Sequence, residues 1–221
     1  MMMNIFSIFD PSTHPLISAN WLSMLIMFMI LPYQFWFMPS RIIIIWSKLL
    51  KYIFKELKAL TNYSLINLIS FISLLTMILF NNFLGLFPYI FTASGHLTFS
   101  LSLSLSMWLG MMMMSLINYF NNTMSHLTPE GTPTILMPFM VIIESISLII
   151  RPFTLSIRLT ANMIAGHLLL ALLGTSGTNT NKLLIPLLIF SQIFLLILEI
   201  SVSIIQAYVF STLSTLYSSE I

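Results

Sequence analysis

The sequence predicts an all-α membrane protein that forms one domain over residues 1–221, with about five transmembrane helices and one amphipathic surface helix. Hydrophobic residues make up 58% of the chain and charged residues only 6%, whereas a soluble domain carries about 25% charged residues. Long apolar runs recur along the chain, and short polar segments separate them. Five of the eight lysines and arginines lie in one short stretch, which is too local for a nucleic-acid surface.

The first apolar run covers residues 16–38 and is long enough to span a bilayer, for which about 20 residues suffice. Trp21 and Tyr33 are suited to the membrane interfaces, and Pro32 is expected to kink or end the helix. Residues 41–60 differ, because their cations recur at helical spacing between apolar residues. This pattern predicts an amphipathic helix on the membrane surface. The cations are Arg41, Lys48, Lys51, Lys55 and Lys58.

Two further spans are predicted at residues 64–87 and 97–117. The turn between them covers residues 88–96, and a polar loop covers residues 118–133. Leucine and serine alternate over residues 100–106, as they would in a strand. An isolated strand would leave its backbone unpaired in lipid, so a helix is predicted there as well.

The last third contains two over-long apolar runs, residues 134–173 and 183–217, joined by a polar turn at residues 174–182. A helix over residues 134–173 would be about 60 Å long, about twice the hydrocarbon thickness. The run is therefore either two short spans, broken near Pro152, or one strongly tilted helix. Since no polar turn surrounds Pro152, we favour two tilted helices that form a hairpin.

Orientation follows from the basic stretch, which should face the matrix or cytoplasm. The amino terminus and the turns at residues 88–96 and 174–182 then face outside. The loop at residues 118–133 and the carboxyl terminus face inside.

Ionisable side chains are rare in the hairpin helices, and each is costly in a bilayer. Arginine cannot reduce this cost by losing its proton, because its guanidinium stays charged. Glu144, Arg151 and Arg158 are spaced by seven residues and share one helical stripe, which Asn162 continues. A second polar stripe on the next helix contains Gln192, Glu199, Ser203 and Gln206.

Two polar stripes on adjacent helices suit a buried aqueous path. Glu144 lies nearest the inside and His167 nearest the outside turn, with Arg158 between them. A fixed guanidinium repels a hopping proton and favours the ionised form of a carboxylate that passes it. This arrangement predicts two half-paths separated by a barrier, and the passing acid belongs to another subunit.

Structural roles are the alternatives. Arg158 and Glu199 could form a bridge between the helices, and Arg151 could be a cation that snorkels to the interface. Asn162 and Gln206 could be helix-packing groups.

The remaining histidines, His14, His96 and His126, are expected to be incidental residues of loops or termini. Their spacing does not form a metal site, and the chain has no cysteine. We expect no cofactor and no catalytic centre.

Several motifs closely resemble subunit a of mitochondrial F-type ATP synthases, and the resemblance covers nearly the whole chain. The most specific is SIRLTANMIAGHLL at residues 156–169. The others are FDPST at 9–13, NFLGLFPY at 82–89, GTPT at 131–134, VIIESIS at 141–147, LEI at 198–200 and IQAYVF at 205–210.

The resemblance implies two long tilted helices against a rotating ring of c subunits that carry a membrane carboxylate. The arginine matching Arg158 faces that carboxylate. The residues matching His167 and Glu199 line a half-channel from the intermembrane space, and the glutamate matching Glu144 belongs to the matrix exit. Asn162 and Gln206 match positions that flank the arginine. Arg151 has no matching role.

The resemblance also implies a non-catalytic, multi-pass subunit of the mitochondrial inner membrane. It would translocate protons and couple the gradient to ATP synthesis, with peripheral-stalk and other Fo subunits as partners. A secondary transporter or antiporter and a non-transporting membrane scaffold are the alternatives. The chain has neither the inverted repeat nor the paired broken helices typical of secondary transporters.

Overall fold

The computed structural model describes residues 5–13, 18–60, 65–128, 133, 135–177 and 182–220. These residues form α-helices and short 3-10 turns without any strand, which confirms the predicted all-α class. Four of the helices, α3, α4, α6 and α7, are long and apolar enough to cross a membrane. The helices are α1 (Ser23–Ile30), α2 (Arg41–Leu60), α3 (Leu65–Gly85), α4 (Leu97–Asn118), α5 (Phe120–His126), α6 (Met137–Ser176) and α7 (Ile185–Glu220).

The first apolar run forms a shorter helix than the span predicted over residues 16–38. One 3-10 turn and α1 together cover residues 19–30, which as helix is about 18 Å. Leu31 leaves the helical region at φ −57° and ψ 128°. The next residue is Pro32, whose ring disfavours a helical conformation at the residue before it.

Helix α2 folds back along α3. Trp46, near the start of α2, packs its ring against Phe80 near the end of α3, with ring centroids 5.3 Å apart. At the other end of α2, Ile53 and Leu57 are buried in a cluster with α3 residues that include Leu68. The basic residues of α2 are all exposed, and its placement on the membrane surface stays a prediction.

The loop predicted over residues 118–133 is partly wrong, because α5 lies within it. Tyr119 interrupts the helix at φ −134°, and its amide still donates to the carbonyl of Ser115 at 2.8 Å. Helix α5 follows α4 after this single residue. The polar residues of α5 have weak helix propensity, so local composition does not predict this helix.

Helices α6 and α7 are continuous over 40 and 36 residues and pack against each other. Pro152 lies inside α6 without ending it, so the alternative of two short spans is wrong. Their tilt in a membrane stays a prediction. A buried apolar cluster unites α3, α6 and α7, and its members are Ile78, Leu155, Leu159, Ala207 and Phe210.

We expect Ile78→Ala to lower the free energy of unfolding by about 2–5 kcal/mol. Ile78 is fully buried between α3 and the long hairpin, and lipid cannot refill the resulting cavity with the same contacts. Ile69→Ala is the matched control on α3, because Ile69 is 65% exposed. Thermal unfolding in detergent, monitored by circular dichroism, measures the stability of both variants. Equal losses of stability would contradict the assignment of the core.

Candidate functional site

Arg158 lies on an exposed face of α6, near the middle of the helix. Within the ranges that the structure describes, its guanidinium has no ion-pair or hydrogen-bond partner. The alternative bridge between Arg158 and Glu199 is therefore not formed. A permanent cation is costly on an apolar surface in a bilayer, so this face requires a partner that solvates or neutralises it.

Small side chains surround Arg158 on this face. Ala161, Asn162 and Ala165 are exposed and follow Arg158 along the helix, and small residues allow a second helix to approach closely. Larger exposed residues continue the face on both sides, among them Ile157 and Leu169 at 50% exposure each. The face is therefore apolar, long and indented around one fixed charge.

Glu199 is buried against Gly166 of α6, with only 9% of its surface exposed. A Cβ added to Gly166 would lie 2.7 Å from Oε1 of Glu199 and 2.9 Å from its Cδ. A side chain at position 166 would therefore displace the carboxyl group. His167 follows Gly166 directly, so the structure brings the two predicted titratable residues of the outer half into one region. The edge of the His167 ring contacts Phe9, with centroids 6.3 Å apart.

Glu144 lies at the other end of α6 and forms an ion pair with Arg151, at 3.8 Å between Oε1 and Nη2. The guanidinium of Arg151 also lies over the ring of Tyr217 on α7, 4.9 Å from its centroid. Arg151 therefore links the amino-terminal half of α6 to the carboxyl-terminal end of α7. Because the pair is partly exposed, it contributes at most about 1 kcal/mol.

A cavity of about 530 Å³ opens beside this ion pair. Residues of α4, α5, α6 and α7 line it, including Glu144, Arg151 and His126. The sequence did not predict that His126 and Glu144 line the same cavity.

The predicted site residues thus occupy four places. Arg158 and Asn162 lie on the exposed face of α6, and Glu199 lies buried near His167. Glu144 lies at the inner cavity. Gln206, 9% exposed, belongs to the buried face of α7.

The polar groups between α3 and α4 were missed by sequence reasoning. Thr92 is 2% exposed and Ser94 is fully buried, although residues 88–96 were predicted as an ordinary turn. The Nε2 atom of His96 is buried too, which the prediction of an ordinary turn did not indicate. The available signal was a threonine, a serine and a histidine within five residues, close to the FPY motif at residues 87–89.

Residues 3–219 match the family described as ATP synthase A chain. ATP synthase subunit a of Drosophila simulans is 55% identical over 223 residues, and that of Anopheles quadrimaculatus is 53% identical over 225 residues. Both alignments cover 100% of this chain and 100% of the relative. Since the family match spans nearly the whole sequence, and these relatives align from end to end, the chain belongs to the ATP synthase A chain family.

Proposed function

We propose that this chain is the stationary proton path of the Fo sector of an F-type ATP synthase in the mitochondrial inner membrane. Membership of the subunit a family implies Fo proton translocation. The finer proposal is that two half-paths meet at Arg158, against a rotating ring of c subunits with a membrane carboxylate. The observation that carries it is the exposed guanidinium without a partner in the described chain, on an apolar face with small neighbours.

A ring carboxylate that reaches Arg158 supplies the missing counter-charge. At a separation of about 4 Å and an effective dielectric constant near 20, the attraction is about 4 kcal/mol. The carboxylate therefore releases its proton as it arrives and takes up another once it has passed. The same fixed charge repels a proton moving through water, which prevents leakage between the half-paths.

The geometry of α6 supports two separate half-paths. Glu144 and His167 are 23 residues apart, which is about 35 Å along a helix, and Arg158 lies between them. Protons from the intermembrane space reach the ring through His167 and Glu199, and they leave for the matrix past Glu144. Moving one charge across 100 mV yields about 2.3 kcal/mol, so several protons are combined for each ATP made at distant nucleotide sites.

The proposed partners are the c-ring, the peripheral stalk and other Fo subunits. Asn162 shares the exposed face with Arg158 and contacts the ring in this proposal. Gln206 acts from the buried face of α7 as a polar group between the half-paths. The chain contributes no catalytic group, because ATP is made elsewhere in the complex.

We expect Arg158→Ala to abolish proton-driven ATP synthesis, because the ring carboxylate loses the charge that ionises it. ATP synthesis by the reconstituted complex under an imposed proton gradient measures this loss. Thr154→Ala is the control, since Thr154 is exposed one turn away and its hydroxyl donates to the Arg151 carbonyl of its own helix at 2.9 Å.

Synthesis near the wild-type rate in the Arg158→Ala complex would reject the proposal. Passive proton flux, with and without an inhibitor of the ring carboxylate, separates the alternatives. A secondary transporter would move a solute without the ring, and a scaffold would leave proton flux unchanged when its charges are neutralised.

We expect Gly166→Ala to slow proton flux through Fo without preventing assembly. The added methyl group pushes the Glu199 carboxyl out of its place, but that carboxyl ends a flexible side chain that can move. Gly174→Ala on the same helix is the matched control, because a Cβ there meets nothing within 4 Å. Passive flux in depleted membranes measures the difference. Identical fluxes in the two variants would show that the position of Glu199 is unimportant.

A further inference from the structure

We propose that residues 92–96, the connection between α3 and α4, form a water-binding wall of the inlet half-path. In this inference Thr92, Ser94 and His96 hold water that serves His167 and Glu199. It rests on the proposed function, because it assigns these residues to the same outer half-path.

The connection is buried although its backbone is largely irregular. Ala93, Ser94 and Gly95 form a short 3-10 turn, and all three are buried. It contacts α3, α4 and α6, so it dips into the bundle instead of crossing its surface. Irregular backbone at membrane depth occurs where it is buried in protein or lines a water-filled cavity.

Three of the eight buried side-chain polar atoms that lack a partner within the described ranges belong to this connection. They are Oγ1 of Thr92, Oγ of Ser94 and Nε2 of His96. The others in the described ranges belong to Asn81, Asn82, His167 and Glu199. Buried polar groups in proteins are nearly always satisfied by protein atoms or by ordered water.

Other serines show that burial alone does not leave a hydroxyl without a hydrogen-bond partner. Ser211 of α7 is as fully buried as Ser94, but its hydroxyl donates to the Tyr208 carbonyl at 2.9 Å. Ser203 likewise donates to Ile200 of its own helix at 2.7 Å. The hydroxyl of Ser94 lacks such a bond, and a bridging water is its natural partner.

One aromatic ring, that of Phe9, lies against both the connection and His167. Phe9 would meet a Cβ added to Gly95 at 3.3 Å, and it also packs against the ring of His167. Just after Phe9 the chain forms a local turn, in which the amide and hydroxyl of Ser12 donate to Asp10 at 3.0 and 2.8 Å. These hydrogen bonds also lower the pKa of the Asp10 carboxyl.

His96 is held in a defined orientation. Its ring stacks on Phe91 at 5.0 Å and contacts Trp21 at 5.2 Å between centroids. Its Nε2 atom is therefore directed into the buried region rather than into bulk solvent. A buried water needs two to four polar partners, and Thr92, Ser94 and His96 offer three unpartnered polar atoms within five residues.

The chain has no cysteine, so an introduced thiol is a specific probe of water access. We would prepare the intact complex with Ser94→Cys, with Ser211→Cys as the equally buried control and with Glu199→Cys as the marker of the inlet path. Membranes are exposed to Ag⁺, which follows water to a thiolate. After solubilisation, alkylation and mass measurement of the subunit report the fraction of thiol that Ag⁺ protected.

We expect Ag⁺ to protect the Ser94→Cys thiol about tenfold faster or more than the Ser211→Cys thiol, because a thiol in dry, apolar surroundings is inert. Thr92→Cys provides the same measurement if the Ser94→Cys complex does not assemble. Protection of Glu199→Cys without protection of the connection would overturn this inference and leave the proposed function intact. If Glu199→Cys also stayed unprotected, the inlet path itself would be rejected.

Discussion

The structure depends on one electrostatic constraint, a permanent positive charge on an apolar helix face. Arg158 cannot become neutral, and its guanidinium finds no counter-charge within the described chain. The alanines beside it leave room for another helix. The positive charge attracts a partner helix that carries a carboxylate. A partner that supplies a counter-charge would lower the cost of holding this cation at membrane depth. The proposed function therefore places the contact with the ring on this face.

The remaining polar groups are separated to the two ends of the long hairpin. Toward the carboxyl-terminal end of α6, the absence of a side chain at Gly166 lets α7 place the Glu199 carboxyl directly against α6. Toward the amino-terminal end of α6, Arg151 connects Glu144 with Tyr217 on α7 beside a large cavity. Arg151 thus acts on its own chain, whereas Arg158 faces outward. Two arginines seven residues apart have opposite roles because their surroundings differ.

Much of this arrangement could be predicted from sequence. The length of α6 and α7 followed from uninterrupted apolar runs, and the positions of Glu144, Arg158 and His167 along α6 followed from helical spacing alone. The helix of the first run ends before Pro32, as the sequence predicted, so this helix is shorter than the apolar run over residues 16–38. Helix α5 was not predicted, since its polar composition gives no helical signal.

The sequence by itself determined that this is a membrane protein, that it is all-α and that charged residues are rare in its membrane-spanning helices. These properties depend on composition and on spacing along one chain, and both can be read without knowing any long-range contact. Only the tertiary structure decided which charge is paired and which is exposed, and that Glu199 rests against Gly166. It alone placed Thr92, Ser94 and His96 inside the bundle beside Phe9. The physical reason is that burial and pairing are properties of two or more elements in contact, and residues distant in sequence create them only when the helices pack.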